Sequence, residues 1–212
     1  MRVAFEPIIF PEERPPEHAA LCDRCELSGH RNRVVWGEGN PGTSLVVLLD
    51  NPGARENREG VPFVCGTRET LQQAAAEAGF RPDELYVTYV VKCRPRKAYD
   101  KPAARRACSA HLSFQLMRMR PKLLFCLGNV ALQSFLGDPE AEVKTMRGSW
   151  IERAGMAVAA SYHPLAVRRR PVLYAHFLED WRRVAARYRA ETAAGSLAQA
   201  GKADNPPSRQ PY

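Results

Sequence analysis

No stretch of the chain approaches the roughly 20 consecutive apolar residues that a membrane-spanning helix needs, and the amino-terminal segment lacks the basic and apolar regions of a secretory signal. These absences argue against a membrane partner and predict a soluble, intracellular protein of the prokaryotic cytoplasmic type. No internal repeat is present, which excludes solenoids and propellers. Cysteine is scarce, with six in 212 residues. In a reducing compartment so few thiols are metal ligands or core residues rather than a disulfide framework. Beyond about residue 190 large apolar residues all but disappear, in "ETAAGSLAQAGKADNPPSRQPY". A segment with so little to bury is expected to form a disordered tail over 191–212.

What is abundant is positive charge. Lys and Arg number 31 against 23 Asp and Glu, for a net charge of +8 and a pI near 9.4, which favours polyanionic partners. The length suits one well-cored domain with a little to spare. Residues 1–20, including the Pro-rich "FEPIIFPEERPPEHAA", read as an irregular lead-in. In the domain at 21–190, four apolar, β-branched runs at 45–49, 86–91, 123–127 and 156–161 read as buried strands.

Helical patterns lie between these runs. Cys108, Leu112, Leu116 and Met119 share one helix face, a weaker pattern runs from Thr67 to Ala78, and Leu173, Phe177, Trp181, Val184 and Tyr188 form a third stripe. Strands alternating with helices predict an α/β fold with a parallel sheet between helical layers. In such sheets the ligand crevice lies at the carboxyl ends of the strands. There "LVVLLDNPG" delivers Asp50, Asn51, Pro52 and Gly53.

Cys22 and Cys25 form a C-x2-C pair in "CDRC", Cys93 follows the second strand in "VVKCRP", and Cys108 opens the clearest helix. Four thiolates are enough for a zinc ion or an iron–sulfur cluster, and spacing does not choose between them. Cys126, in "LLFCLG", reads as core, whereas Cys65 sits in a loop where it could face the crevice.

The ordered set "CDRC", "VVWGEGNPGTSLVVLL", "NREGVPFV", "YVVKCRP", "CLGNVAL", "RGSW" and "YHPLAVRR" resembles the uracil-DNA glycosylase superfamily, and within it the thermostable iron–sulfur type called family 4. The resemblance covers Cys22 to Tyr188. It implies a three-layer α/β/α sandwich around a four-stranded parallel sheet, and a structural [4Fe-4S] cluster on Cys22, Cys25, Cys93 and Cys108, favoured over zinc. It further implies a monomeric base-excision repair enzyme that hydrolyses the N-glycosidic bond of uracil, or another deaminated base, in single- or double-stranded DNA.

Such an enzyme must turn the nucleotide out of its stack at a cost of a few kcal/mol. Phosphate contacts can supply that energy, and Lys92, Arg94, Arg168 and Arg169, with Arg170, are candidates for it. By resemblance, Phe63 stacks on the base, Pro52 and Gly53 belong to the substrate-contacting turn, and His163 of "SYHP" donates a hydrogen bond to the departing anionic base. His18, His30, His111 and His176 read as structural.

Two departures from the family pattern stand out. Family 4 proteins read Gly-Glu-Ala/Gly-Pro-Gly where this chain has Leu49, Asp50, Asn51, Pro52 and Gly53. Asn51 is similar to the water-holding Asn in the Gly-Ile-Asn-Pro-Gly motif of mismatch-specific glycosylases, so Asn51 is the expected water ligand with Asp50 beside it. Relatives also read Thr-Asn-x-Val-Lys-Cys with an Asn that reads the base edge, and here Tyr89 takes that place. A phenol lacks an amide's donor and acceptor pair. The alternatives are a DNA-binding homologue with impaired catalysis or altered specificity, and a zinc-stabilised nucleic-acid module without a base pocket.

Overall fold

The computed structural model describes residues 5–58 and 64–203. Its centre is a mixed sheet of seven strands, β1 (Glu12–Glu13), β2 (Gly37–Gly39), β3 (Leu45–Leu49), β4 (Tyr86–Tyr89), β5 (Leu123–Leu127), β6 (Ile151–Arg153) and β7 (Met156–Ser161), in the order β1-β2-β4-β3-β5-β7-β6. The expectation of a four-stranded sheet is therefore corrected to seven. The four apolar runs form the parallel centre β4-β3-β5-β7, and antiparallel strands of two or three residues extend both edges. Those additions are too short to carry an alternating pattern. Every residue of β3, β4, β5 and β7 is buried, as parallel strands covered on both faces require.

Helices cover the two faces: α1 (Glu17–Ala20), α2 (Gly66–Glu77), α3 (Lys101–Met119), α4 (Asn129–Leu136), α5 (Val143–Met146), α6 (Pro164–Arg169) and α7 (Tyr174–Ala203). On one face Val47, Leu49, Val87, Phe125 and Leu127 pack with Leu71 and Ala74 of α2, Val167 of α6, and Phe177 and Trp181 of α7. Trp181 meets the Phe125 ring edge-on at 4.9 Å, a favoured aromatic geometry. On the other face Val46, Leu48, Leu124 and Cys126 pack with Leu112 and Leu116 of α3 and Leu132 of α4.

α3 starts where Asp100 Oδ1 accepts the Ala103 amide at 2.9 Å, and it stops at Arg120 in the left-handed region. No helix among the described residues is long and apolar enough to cross a membrane.

The last helix departs from expectation, because α7 passes residue 190 and runs to Ala203. Its continuation is Ala-rich, and Ala carries the highest helix propensity, so the helix persists without a core to bury. Arg187 Nε to Glu191 Oε1 at 3.0 Å tethers the start of this extension. Of the expected tail, residues 204–212 lie outside the described residues.

Beneath the loop that leaves β3 lies a buried cluster of charges. Glu38 of β2 takes Arg55 Nη2 at 2.5 Å and Arg68 Nε at 2.6 Å, while Arg55 Nε also donates to Glu56 Oε1 at 3.0 Å. All four side chains are at most 5% exposed. Arg68 Nη2 donates to the Tyr89 hydroxyl. Burial alone would raise the Glu56 carboxyl, but the charges of Arg68 and Arg55 outweigh it and hold the group below its ordinary value.

Removing one partner of a buried ion pair strands the other. Glu38→Gln should therefore cost about 3–5 kcal/mol of stability. Tyr89→Phe, which removes one acceptor from a charged donor, should cost about 1.5–3 kcal/mol. Denaturant titration should reproduce this order through falling midpoints at unchanged slope. Because the folded pKa of Glu56 is depressed, its contribution is complete above the unfolded value of about 4.3 and fades as pH drops through the folded one. The stability gap between wild type and Glu56→Gln should therefore close in acid, and a gap that widened there would contradict the assignment.

Candidate active site

The ladder between β3 and β4 continues past both strands: the Val90 amide donates to the Leu49 carbonyl at 2.8 Å and the Val91 amide to the Asp50 carbonyl at 3.0 Å. Asp50 is thus held at the carboxyl end of the parallel strands by a main-chain bond, and its side chain in turn takes the Asn51 amide. Two strands away, β7 ends at Ser161 and His163 caps α6. The two ends meet, with His163 Nε2 3.3 Å from Asp50 Oδ1.

The imidazole is oriented by its own helix. Its Nδ1 accepts the Leu165 amide at 3.1 Å, which leaves the ring proton on Nε2 and aims it at Asp50. Gly128, at the end of the intervening β5, makes the approach feasible. Its φ is +97°, and a Cβ there would lie 3.0 Å from the His163 Cβ.

Burial pushes the Asp50 carboxyl upward. The hydrogen bond from His163, together with the Asn51 amide at 2.8 Å, outweighs burial and keeps it below the usual carboxylate range. Asn51 Nδ2 donates to the Pro52 carbonyl at 3.0 Å, an orientation in which Oδ1 is the side chain's remaining acceptor. The Gly53 amide donates to Glu56 Oε2 at 2.9 Å, which ties the Asp50–Gly53 turn to the buried charge cluster.

A cavity of about 280 Å³ opens at Asp50, and His163 is not among its lining residues. Asp50, Asn51, Val91, Pro95, Tyr99, Lys101, Arg105 and Val130 line it. Tyr99, Lys101 and Arg105 escaped the sequence reading. The signal for two of them was present, since Lys101 and Arg105 stand four apart at the start of a capped helix and so share a face.

Two expected site residues lie elsewhere. Tyr89 is 2% exposed, packs in the core with Leu49 and Leu71, and turns its hydroxyl to Arg68; it does not line the cavity. Lys92 is 1% exposed and cannot reach DNA. Its Nζ donates to Thr88 Oγ1 at 2.6 Å, to the Tyr89 carbonyl at 2.9 Å and to Gln115 Oε1. Burial pushes its pKa down to about 7. By resemblance Tyr89 is expected at the base edge, and Lys92 is a candidate for phosphate contact; burial removes both from those places.

Arg94 is partly buried, whereas Arg168 and Arg169 are exposed on the helix that His163 caps. The Arg168 guanidinium lies against Gly66, where a Cβ would collide with it. Phe63 lies outside the described residues. Cys65 is partly buried at the cap of α2.

Cys22, Cys25, Cys93 and Cys108 border one pocket, together with Arg31 and Lys92. Arg31 Nη1 donates to Cys93 Sγ at 3.6 Å and the Lys92 amide to Cys108 Sγ at 3.3 Å, so two of the sulfurs already have donors. Burial raises the Cys93 thiol to about 11 and lifts the Cys108 thiol; a bound metal would displace those protons. Among the described residues no three His, Cys, Asp or Glu side chains are grouped so that they could hold a metal ion. All four cysteines nevertheless border this one pocket, and four thiols are the donor set that a thiolate-bound group requires.

Comparison with known proteins agrees with this arrangement. The family model described as the Uracil DNA glycosylase superfamily matches residues 36–185. A type-4 uracil-DNA glycosylase from Archaeoglobus fulgidus is 33% identical over 171 residues, covering 77% of this chain and 86% of that protein. One from Thermotoga maritima is 33% identical over 150 residues, 70% of this chain and 78% of the relative. A type-5 enzyme from Pyrobaculum aerophilum is 32% identical across 48% of this chain and 46% of its own. The matched span takes in both strand ends and the cavity wall between them, and on that breadth of likeness the chain belongs to the uracil DNA glycosylase superfamily, beside its type-4 members.

Proposed function

We propose that the protein is a DNA glycosylase of base-excision repair that hydrolyses the N-glycosidic bond of uracil, or of another deaminated base, in DNA. The observation that carries the reading is the 3.3 Å contact between Asp50 and His163, which unites two separated strand ends beside a cavity, in a chain of this superfamily.

Cleavage leaves a cationic sugar and an anionic base. The Nε2–H of His163, which rests on Asp50 in the free protein, is positioned to donate to the base oxygen as negative charge grows there. Asn51 Oδ1 and the Asp50 carboxylate are acceptors that orient a water toward the sugar carbon; Asp50, ionised at neutral pH, takes the water's proton after the new C–O bond has formed, because its lowered pKa makes it a weak base. Arg168 and Arg169 are exposed on the His163 helix, where they can meet phosphates. Phe63 is the proposed stacking surface.

Tyr89 changes the selectivity. The residue that takes the place of the base-reading amide is withdrawn into the core, so edge recognition of uracil through that amide is missing, and other deaminated bases are admitted. A DNA-binding homologue without catalysis is the alternative that Tyr89 motivates.

Cys22, Cys25, Cys93 and Cys108 would hold a [4Fe-4S] cluster, supported by the common pocket and by the donors to Cys93 and Cys108. When bound, that cluster would act as a structural crosslink between the amino-terminal segment and the loop after β4.

The decisive assay incubates the full-length protein with single-stranded oligonucleotides bearing uracil, hypoxanthine or xanthine, followed by alkali. Strand cleavage on at least one is expected; silence on all three would support the alternative. His163→Ala should lower the single-turnover rate about 10²- to 10³-fold, and Asn51→Ala about 10²-fold or more, with DNA binding retained in both. For the cluster, iron and sulfide analysis with visible absorption should show an iron–sulfur chromophore that Cys93→Ala abolishes. A colourless protein with stoichiometric zinc would replace it with the zinc reading.

A further inference from the structure

We propose that Lys101 and Arg105 form a phosphate subsite in the wall of the catalytic cavity, so that the cavity receives a nucleotide with its flanking phosphate rather than a bare base. The proposal rests on the glycosylase reading above and deepens it.

The cavity has two chemically different parts. Asp50 and Asn51 supply acceptors at the strand end, while Lys101 and Arg105 supply donors from the first turns of α3. A nucleotide has the same polarity: its glycosidic carbon becomes cationic during cleavage, and its phosphate is anionic. About 280 Å³ approaches the lower end of small-ligand pockets, roughly 300 Å³.

The cations are available. Among the described residues neither Lys101 nor Arg105 forms an ion pair, whereas Arg33, Arg55, Arg68, Arg118, Arg147 and Arg189 each do. Two unpaired cations facing one cavity lack a counter-ion that a phosphate would supply. Tyr99 lines the same cavity and is partly buried against the core that α3 covers.

The wall is also rigid before any ligand arrives. Asp100 caps α3 through the Ala103 amide at 2.9 Å, the Asp100 amide is held by the Glu26 carboxylate, and Arg96 donates to Asn32. Pre-organisation of this kind limits the ordering cost of binding. Lys92, which lies nearest in sequence to the second strand, is buried and cannot serve this role.

The test uses full-length protein and an oligonucleotide carrying 2′-fluoro-2′-deoxyuridine, whose glycosidic bond resists hydrolysis, with binding followed by fluorescence anisotropy over a range of salt. Lys101→Ala and Arg105→Ala should each weaken binding about tenfold or more and reduce the slope of log K against log salt by about 0.7 to 0.9. Arg106→Ala, exposed on the same helix but outside the cavity, should bind as wild type.

Replacing the one phosphate 5′ or 3′ of the lesion by an uncharged methylphosphonate should weaken wild type to the level of Arg105→Ala, and leave Arg105→Ala unaffected by one of the two. Wild-type affinity and slope in both variants would overturn the subsite. So would equal losses from the methylphosphonates in wild type and variant. Retained excision of a deaminated base alongside either result would show that the subsite fails and the glycosylase reading stands; wild type that neither excises nor prefers the modified strand would reject the glycosylase reading first.

Discussion

The geometry of the strand-end site depends on a cluster of charges that the solvent does not reach. Glu38, Arg55, Glu56 and Arg68 balance two carboxylates against two guanidinium groups under the loop that follows β3. Glu56 then spends its second oxygen on the Gly53 amide. The turn carrying Asp50 and Asn51 is therefore anchored from below by charge and from the side by the β4 ladder. Such a cluster is no bargain in net stability, because desolvating four ions costs much of what their attraction returns. What it supplies is position, since polar contacts tie Gly53, Arg55 and Tyr89 to its members.

Tyr89 belongs to the same system. Its hydroxyl serves Arg68, and its ring lies in the core beneath the loop. A residue that would otherwise compete for the cavity has become part of its foundation. Part of the cavity wall is formed by the segment between Cys93 and Cys108, which supplies Pro95, Tyr99 and Arg105. The pocket that the four cysteines border includes both ends of that segment, so the packing of one space bears on the other.

Much of this was legible in the sequence, and the reasons are physical. The runs at 45–49, 86–91, 123–127 and 156–161 announced parallel strands because burial on both faces leaves no room for polar alternation, and the structure places β3, β4, β5 and β7 there, with β4 ending at Tyr89. Glu12, Gly37 and Ile151 head strands too short to print a period. The direction of a side chain was harder still. Thr88, Tyr89 and Lys92 sit in one motif, yet Tyr89 turns to one face of the sheet and Lys92 to the pocket formed by Thr88 and Gln115. Nothing in residue type separates a cation that meets solvent from one that meets three oxygens. Lys101 and Arg105 were missed for the opposite reason, because an i,i+4 basic pair on a helix looks like ordinary solvated surface until the loop before it folds back. The extension of α7 to Ala203 shows that a segment with few large apolar residues can still be helical where Ala predominates.

His163 and Asp50 come from β7 and β3, and only β5 runs between those strands. Neighbouring strands lie about 4.8 Å apart, so the two strand ends are separated by the main chain of a single strand, which ends at Gly128. The side chains close that gap by touching. Substitution can change which groups reach across it, but scarcely the span they must cover, which is dictated by the main-chain hydrogen-bond repeat of the sheet.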